Sequence, residues 1–420
     1  MDLAKARATR DRYLTALHYR DFRWIMLGSL GGQSAYWALI IARGVLVLEM
    51  TDSAGWVGVA TFAAMVPRFV MPPFAGYLAD RFDRRSVLAI AYVLQTLNVL
   101  LLAGLAFADL LGVGILIGLS LLNGTFRAFQ MTATQALVPN LVPKEHLLNA
   151  IALNQMSLQG ARLVGPALIA PALIFGGTSA AFLACAGLYV VSIASILAVR
   201  TRSTGALTKG AGMLTSIVEA ASYAWADRRL RVIFILIALH CAMTMSFETI
   251  LPVLSQQVLG EPEHANNLMM AVGAGALVGV FAISGIRNSQ SRGIILLVAG
   301  ALSGASMIVL ASATNLPSAL VGAAAMGGTQ AAFMAIAGAM VQALAPDEMR
   351  GRITGFSHII IGGTMAVLNL VNGFAADAIG VSNLLWILGL GFTAIVVASL
   401  ALGSLRGIYR GAVEAPAAAA

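Results

Sequence analysis

Long apolar runs broken by short polar hinges repeat along the whole chain. The first set reads Phe22–Leu48, Gly55–Ala79, Val87–Ala108, Leu111–Leu137, Leu147–Phe175 and Thr178–Val199. A polar stretch from Arg200 to Arg229 follows, rich in Ser, Thr, Gly and Lys, and its later part, Leu214–Trp225, has the make-up of an interfacial helix. The second set reads Leu230–Leu254, Asn266–Ile286, Gly293–Ala313, Pro317–Leu344, Ile353–Ala376 and Asn383–Leu405, and the Ala-rich end after Val413 is expected to be a disordered tail. A helix rising 1.5 Å per residue needs roughly 20 apolar residues to cross a bilayer. The pattern therefore predicts an all-α integral membrane protein, with about twelve transmembrane helices in two six-helix pseudo-repeat bundles.

Composition removes the alternatives. Hydrophobic residues are 59% of the 420 and charged residues 10%, with a mean hydropathy of +0.87. A soluble domain carries about 25% charged residues, and surface scaling leaves nowhere to hide this much apolar area in water. The net charge of +8 and pI near 9.9 would suit a nucleic-acid binder, but their distribution has another cause. Lys5, Arg7, Arg10, Arg12, Arg20 and Arg23, the basic residues of the hinges at 81–85, 144, 287–292 and 350–352, and those of the linker and tail all fall on one side of the predicted topology. The opposite loops carry Glu49, Asp52, Asp109, Glu261, Glu263 and Asp377, with no Lys or Arg. Cytoplasmic loops collect Lys and Arg, so both termini are expected in the cytoplasm and no nucleic-acid partner is expected. The organisation becomes a cytoplasmic tail over 1–21, a bundle over 22–199, a cytoplasmic linker over 200–229, a second bundle over 230–405 and a cytoplasmic tail over 406–420. Cys185 and Cys241 lie in apolar runs and make neither a disulfide framework nor a metal spacing. The basic start through Arg23 shows no cleavage site, so no removable signal peptide is expected.

The two sets correspond. Asp21-Phe22-Arg23 enters the first run much as Arg229-Leu230-Arg231 enters the seventh. Arg84 and Arg85 answer to Arg292, although the hinge Ser284–Arg292 lacks an Asp. Leu137-Val138-Pro139 after run four parallels Leu344-Ala345-Pro346 after run ten. Such order favours internal duplication of the kind transporters use.

Between runs two and three lies Gly76-Tyr77-Leu78-Ala79-Asp80-Arg81-Phe82-Asp83-Arg84-Arg85. This hinge resembles the Gly-x-Leu-Ala-Asp-Arg-x-Gly-Arg-Arg/Lys loop of the major facilitator superfamily, with Asp83 at the later Gly. Arg127-x-x-Gln130 is similar to the Arg-x-x-Gln-Gly signature of proton-coupled members, with Met131 at the Gly. Ala161-x-x-x-Gly165-Pro166 resembles the Gly-x-x-x-Gly-Pro antiporter signature of exporters, with Ala161 at the first Gly. Tyr19 to Arg23, Asn140 to Ala150 and Pro346 to Arg352 look like the enterobactin-exporter type of bacterial member. The resemblance implies two bundles rocking about a central site in the bacterial inner membrane, with export driven by proton entry and no cofactor beyond the proton gradient. It also implies a cytoplasmic latch of Gly76, Asp80, Arg81, Arg84, Arg85 and Arg352, in which Asp80 caps the start of run eleven.

Polar residues inside the runs are the candidate site. An Arg at bilayer depth costs at least about 2.5–3.5 kcal/mol, and Arg43, Arg68, Arg127 and Arg162 all lie in the first half. Arg43 is close enough to an end to snorkel, and Arg68 follows Pro67, where it can stabilise a kinked helix. Arg127 and Arg162 are too central to escape and call for a cavity or a partner. Asn123, Arg127, Gln130 and Thr134, spaced four, three and four, share one helical face, and such a stripe is tolerated only against protein or water. Run five adds Gln155, Gln159 and Arg162 before Gly165-Pro166, whose small residues equally suit plain close packing. In run seven His240, Thr244 and Glu248 follow at steps of four. Glu248 is the acid placed well inside a run, suited to taking up and releasing a proton with His240 as a relay, unless it sits wet at the outer mouth before Pro252. Run eleven repeats the stripe with His358, Gly362, Asn369 and Asn372, and Gln33, Tyr36 and Trp37 of run one can add an aromatic wall.

The expected function is proton-coupled efflux of a small organic molecule by alternating access, carried out by a monomer. Four embedded Arg against one acid favour anionic or neutral cargo, such as catechol siderophores or acidic metabolites, over lipophilic cations. Backbone carbonyls that neutralise the Arg residues would erase that preference. Two other readings stay open: an importer or lysophospholipid flippase on the same fold, or a non-transporting receptor or assembly subunit, which would have no need of polar stripes on several spans. No Ser/His/Asp, Cys/His, P-loop or metal spacing points to an enzyme or an ATP-driven pump.

Overall fold

The computed structural model describes residues 15–203, 213–283, 289–346 and 348–401. Among them every regular element is helical. The helices are α1 (Arg20–Thr51), α2 (Ala54–Met65), α3 (Pro72–Arg81), α4 (Arg84–Phe107), α5 (Val113–Leu137), α6 (Leu147–Ala198) and α7 (Met213–Ala226). They continue with α8 (Arg228–His240), α9 (Ile250–Leu259), α10 (His264–Ile283), α11 (Ser289–Ala311), α12 (Leu316–Leu344), α13 (Arg350–Ile379) and α14 (Val381–Ala398). The hinge expected at Ser284–Arg292 lies mostly outside the described residues, as does the tail after Val413.

Ten described helical stretches are long and apolar enough to cross a membrane. One of them, Asn149–Ala198, has 50 residues, more than twice what an ~30 Å hydrocarbon core requires. It is two crossings, because Gly177 leaves the helical region at φ 66° and ψ −167°, a left-handed conformation that suits a residue with no Cβ. A further crossing is the prolyl-interrupted run of α2 and α3. Pro67 and Pro72 each remove a backbone donor there, and the helix breaks into α2, a single turn over Pro67–Val70, and α3. Counted in this way the helices supply the twelve predicted crossings.

The chain divides into two compact units, Met1–Ala42 with Val70–Thr208 and Arg43–Phe69 with Lys209–Ala420. The later division falls between Thr208 and Lys209, and the stretch 43–69 belongs with the second unit. Backbone proximity explains this. A Cβ at Gly373 of α13 would meet the Ala54 carbonyl oxygen at 2.5 Å, and one at Gly58 of α2 would meet the carbonyl oxygens of Asn369 and Leu370 at 3.1 Å. Small residues at such a seam let two helices approach to backbone contact. At its end the Asp377 carboxylate accepts hydrogen bonds from Ala54 N–H (2.7 Å), Gly55 N–H (2.8 Å) and Ser53 Oγ–H (2.6 Å), capping the N-terminus of α2.

In the first unit, α4 packs on α5 and α6. Asp21 at the start of α1 accepts from Thr201 N–H (2.8 Å) and Oγ–H (2.7 Å), tying it to the chain that leaves α6. In the second unit α12 packs against α10 and α11, and α11 against α14. The core there is built around Phe333 and Phe392, with Phe234 and Leu344.

Candidate transport site

The first unit holds a cationic cluster, buried at Arg127 and half-buried at Arg162. Arg127 of α5 is only 3% exposed. Its guanidinium donates to Gln33 Oε1 and lies over the Tyr36 ring, with Cζ 3.4 Å from the centroid. Arg162 of α6 lies over Trp37 at 4.3 Å, and the two rings meet edge-on at 5.3 Å. Gln33, Tyr36 and Trp37 occupy adjacent turns of α1, so one helical face supplies both cation platforms. A ring face attracts a guanidinium through its quadrupole without cancelling the charge. Gln33, Trp37, Arg127 and Arg162 are therefore brought together as a group.

Gln130 has a different environment. Its Nε2–H donates to Tyr92 Oη (3.1 Å), its Oε1 accepts from Gln95 Nε2–H (3.1 Å), and Tyr92 Oη–H donates to the Gly28 carbonyl (3.0 Å). This network joins α5, α4 and α1. Tyr92 and Gln95 escaped the sequence reading, although two polar groups three residues apart in an apolar run were a usable signal. Asn123 is 1% exposed, and neither of its amide atoms finds a hydrogen-bond partner among the described residues. A buried amide so placed suits a bound water or a polar group of cargo. Gly165 sits against α1, where a Cβ would overlap the Ser34 carbonyl. Here the Gly165-Pro166 pair makes a tight helix seam.

The second unit centres on a broken span. The sequence pattern set His240, Thr244 and Glu248 on one continuous helical stripe, but α8 ends at His240. A π-helical turn over Cys241–Met245 follows, then a non-helical stretch with Ser246 at φ −85° and ψ 57°, and the helix resumes as α9. Pro252 has no N–H to give the Glu248 carbonyl, which favours a break at this point. The wider π turn also shifts the side-chain register. Glu248 is 2% exposed, so it lies inside the protein.

Three amides meet the backbone that the break leaves without helical partners. Gln330 of α12 donates to the Thr244 carbonyl (2.6 Å), and Asn372 of α13 donates to the Ser246 carbonyl (3.0 Å). Asn369 Oδ1 accepts from Thr249 N–H and Oγ–H, both at 3.2 Å, while its Nδ2–H donates to the Met365 carbonyl (2.9 Å). Asn369 and Asn372, expected to line the substrate cavity, thus hold the broken span. Gln330 was missed, yet the offset relating Pro139 to Pro346 also relates Asn123 to Gln330.

His240 lies fully buried in an aromatic box. It stacks on Phe333 (4.0 Å, 18°), meets Phe392 edge-on (5.2 Å) and shares a hydrogen bond with Ser303 Oγ (3.1 Å). His358 is exposed, apart from the Asn369 and Asn372 amides.

At the hinge, Arg84 donates to the carbonyl oxygens of Ala136 (2.9 Å) and Ala79 (3.3 Å), and Arg85 to those of Ile196 (3.2 Å) and Leu197 (2.7 Å). Ala136, Ile196 and Leu197 are at the C-terminal ends of α5 and α6, where cations complement the helix dipole. Arg81 donates to Tyr77 Oη (2.8 Å). Asp83 caps α4, accepting from Ser86 N–H (3.3 Å) and Oγ–H (3.0 Å) and from Ser203 N–H (3.0 Å). Partial burial raises its carboxyl pKa, but those hydrogen bonds together outweigh it and hold the group below the usual carboxylate range. A Cβ at Gly76 would meet nothing within 4 Å. The Asp80 side chain lies outside the described set. Arg352 pairs with Glu219 of α7 at 2.6 Å, with both side chains exposed.

The chain is similar to known proteins. The family model described as transmembrane secretion effector matches residues 13–408. The multidrug efflux pump Tap of Mycolicibacterium fortuitum is 25% identical over 390 residues, covering 91% of this chain and 95% of that protein. The staphyloferrin A transporter of Staphylococcus aureus is 22% identical over 244 residues, 58% of this chain and 61% of that one. A crystal structure of a single-site variant of the nucleoside transporter NupG aligns with a TM-score of 0.75 and 11% identity over 93% of this chain and 100% of that one, a likeness of fold alone.

Proposed function

The chain belongs to the transmembrane secretion effector family, within the major facilitator superfamily, and is a multi-pass membrane transporter of that type; from this premise we propose that it exports a small organic molecule in exchange for protons, by alternating access. The observation that carries the coupling is Glu248, a carboxyl buried within a broken membrane span. An ionisable group at that depth marks an ion pathway by default. The direction rests on the likeness to the multidrug efflux pump Tap.

The cargo binds in the first unit. Arg127 and Arg162 on their aromatic platforms, with Gln33 and the amide of Asn123, form a wall suited to an organic anion that offers both a carboxylate and a flat apolar body. The protein works in the bacterial inner membrane, and the one-sided basic loops support a cytoplasmic place for both termini. Residues at the hinge act as the cytoplasmic latch, with Arg84 and Arg85 bracing its base. The proton gradient is the driving force, no cofactor takes part, and no bond of the cargo is broken.

The test uses protein reconstituted in vesicles with an imposed pH gradient and two fluorescent cargoes, an aromatic carboxylate and a lipophilic cation. Expected is gradient-driven movement of the carboxylate against the direction of proton flow, lost in Glu248→Gln at unchanged expression. Co-movement of cargo with protons would identify an importer, and a preference for the cation would remove the role given to the arginines.

A further inference from the structure

The second unit contains a device that the transport reading does not by itself require. Within a span of 32 residues, Arg228–Leu259, the helix stops and restarts, and its freed backbone groups are met by side chains of two other helices. Non-helical backbone at membrane depth survives only where protein or a water-lined cavity satisfies it. Gln330, Asn369 and Asn372 are 1%, 0% and 3% exposed, so bulk water does not replace them. Their three contacts bracket Glu248: Thr244 and Ser246 before it, Thr249 directly after it.

We propose that Gln330, Asn369 and Asn372 are positioning residues that hold the break open and so set where the Glu248 carboxyl is presented. The role rests on the proton-coupling reading of Glu248 but concerns its placement. An unbroken helix would keep Glu248 on the same stripe as His240 and Thr244; the π turn and the break give it another direction. The clamp comes from α12 on one side and α13 on the other. A shift of either helix against the break therefore reorients Glu248, and this gives the carrier a mechanical link between helix movement and proton carriage. Asn369 strengthens that link because its amide also bonds the Met365 carbonyl of its own helix, which fixes its rotamer.

The test reads Glu248 directly, without cargo. Full-length protein in detergent is treated with a hydrophobic carbodiimide, which modifies protonated carboxyls in apolar surroundings, and the Glu248 peptide is followed by mass spectrometry. Loss of one donor to a buried carbonyl shifts a local equilibrium by roughly tenfold. Asn372→Leu is expected to change the Glu248 labelling rate by about that factor, and Asn372→Gln, which keeps the donor, to restore it. Thr249→Val removes only the hydroxyl donor to Asn369 and should act in the same sense even if the leucine variant fails to fold. Unchanged labelling in a folded Asn372→Leu or Thr249→Val protein overturns the proposal. Proton-driven transport surviving in Glu248→Gln would instead remove the coupling role, while the labelling result still decides the positioning.

Discussion

Replacing Asp377 with Ala removes three hydrogen bonds from a single helix start. Ala54 and Gly55 are among the first N–H groups of α2, which have no partner within the helix, and Asp377 supplies both from the last turn of α13. Ser53, the N-cap of α2, donates to the same carboxylate while its own oxygen accepts from Trp56 N–H (3.4 Å). An N-cap is worth roughly 0.5–2 kcal/mol, and a carboxylate against a helix N-terminus adds about 0.3–1 kcal/mol. Asp377 is exposed, and solvent screening brings the expected loss to about 1–2 kcal/mol. That corresponds to roughly a 5- to 30-fold larger open population at the seam. Amide hydrogen exchange of detergent-solubilised protein measures it, because local opening controls exchange there. The peptide carrying residues 54–57 should exchange faster by that factor in Asp377→Ala and by less in Asp377→Asn, which keeps one acceptor. Helices of the first unit, such as α4, serve as the internal control. Exchange within twofold of the wild type at 54–57 would mean that the glycine contacts alone hold α2 to α13, and the capping argument would be refuted.

Gly165→Ala places a methyl group against the Ser34 carbonyl; overpacking of this kind costs about 1–3 kcal/mol, so the melting temperature should fall, whereas Gly76→Ala, with open space, should leave it unchanged. Asp83 has a carboxyl whose folded pKa is depressed, so its stabilising contribution is complete above the unfolded value of about 4 and disappears as the pH falls through the lower folded value. The stability difference between wild type and Asp83→Asn should therefore stay constant from pH 7 to about 5 and shrink below about 4, as followed by intrinsic fluorescence in an acid titration.

Much of the fold was readable because the bilayer imposes a coarse rule. Runs of the right length, basic loops on one side and acidic loops on the other, and corresponding hinges an almost constant distance apart need no knowledge of packing. Even the twelve-crossing count survives the long α6 and the interrupted α2–α3 stretch, since Gly177 divides two crossings while Pro67 and Pro72 only break the helix within one. The site was less readable. The cationic cluster of Arg127 and Arg162 was visible, because charge at bilayer depth is conspicuous in any sequence. Which aromatic ring each arginine faces was not, since Tyr36 and Trp37 lie about 90 to 125 positions away.

The misreading of His240, Thr244 and Glu248 has a more specific cause. Helical periodicity assumes that each carbonyl is met four residues later, and Pro252 withdraws that donor from Glu248. Once the helix is broken, the carbonyls of Thr244 and Ser246 and the N–H of Thr249 need partners, and these come from Gln330, Asn372 and Asn369 on other helices. An amide inside an apolar span then has two possible duties, to face cargo or to repair backbone, and its own sequence cannot tell them apart. The duplicated chain offers the missing comparison. Asn123 and Gln330 occupy corresponding places, but α5 runs unbroken past Asn123 while the span beside Gln330 does not. The amide next to intact helices keeps both of its polar atoms available, and the amide next to the break has its N–H group engaged. On the function proposed here, the amide beside the break serves to hold a carboxyl in place, and the amide beside the intact helix offers its polar groups to cargo.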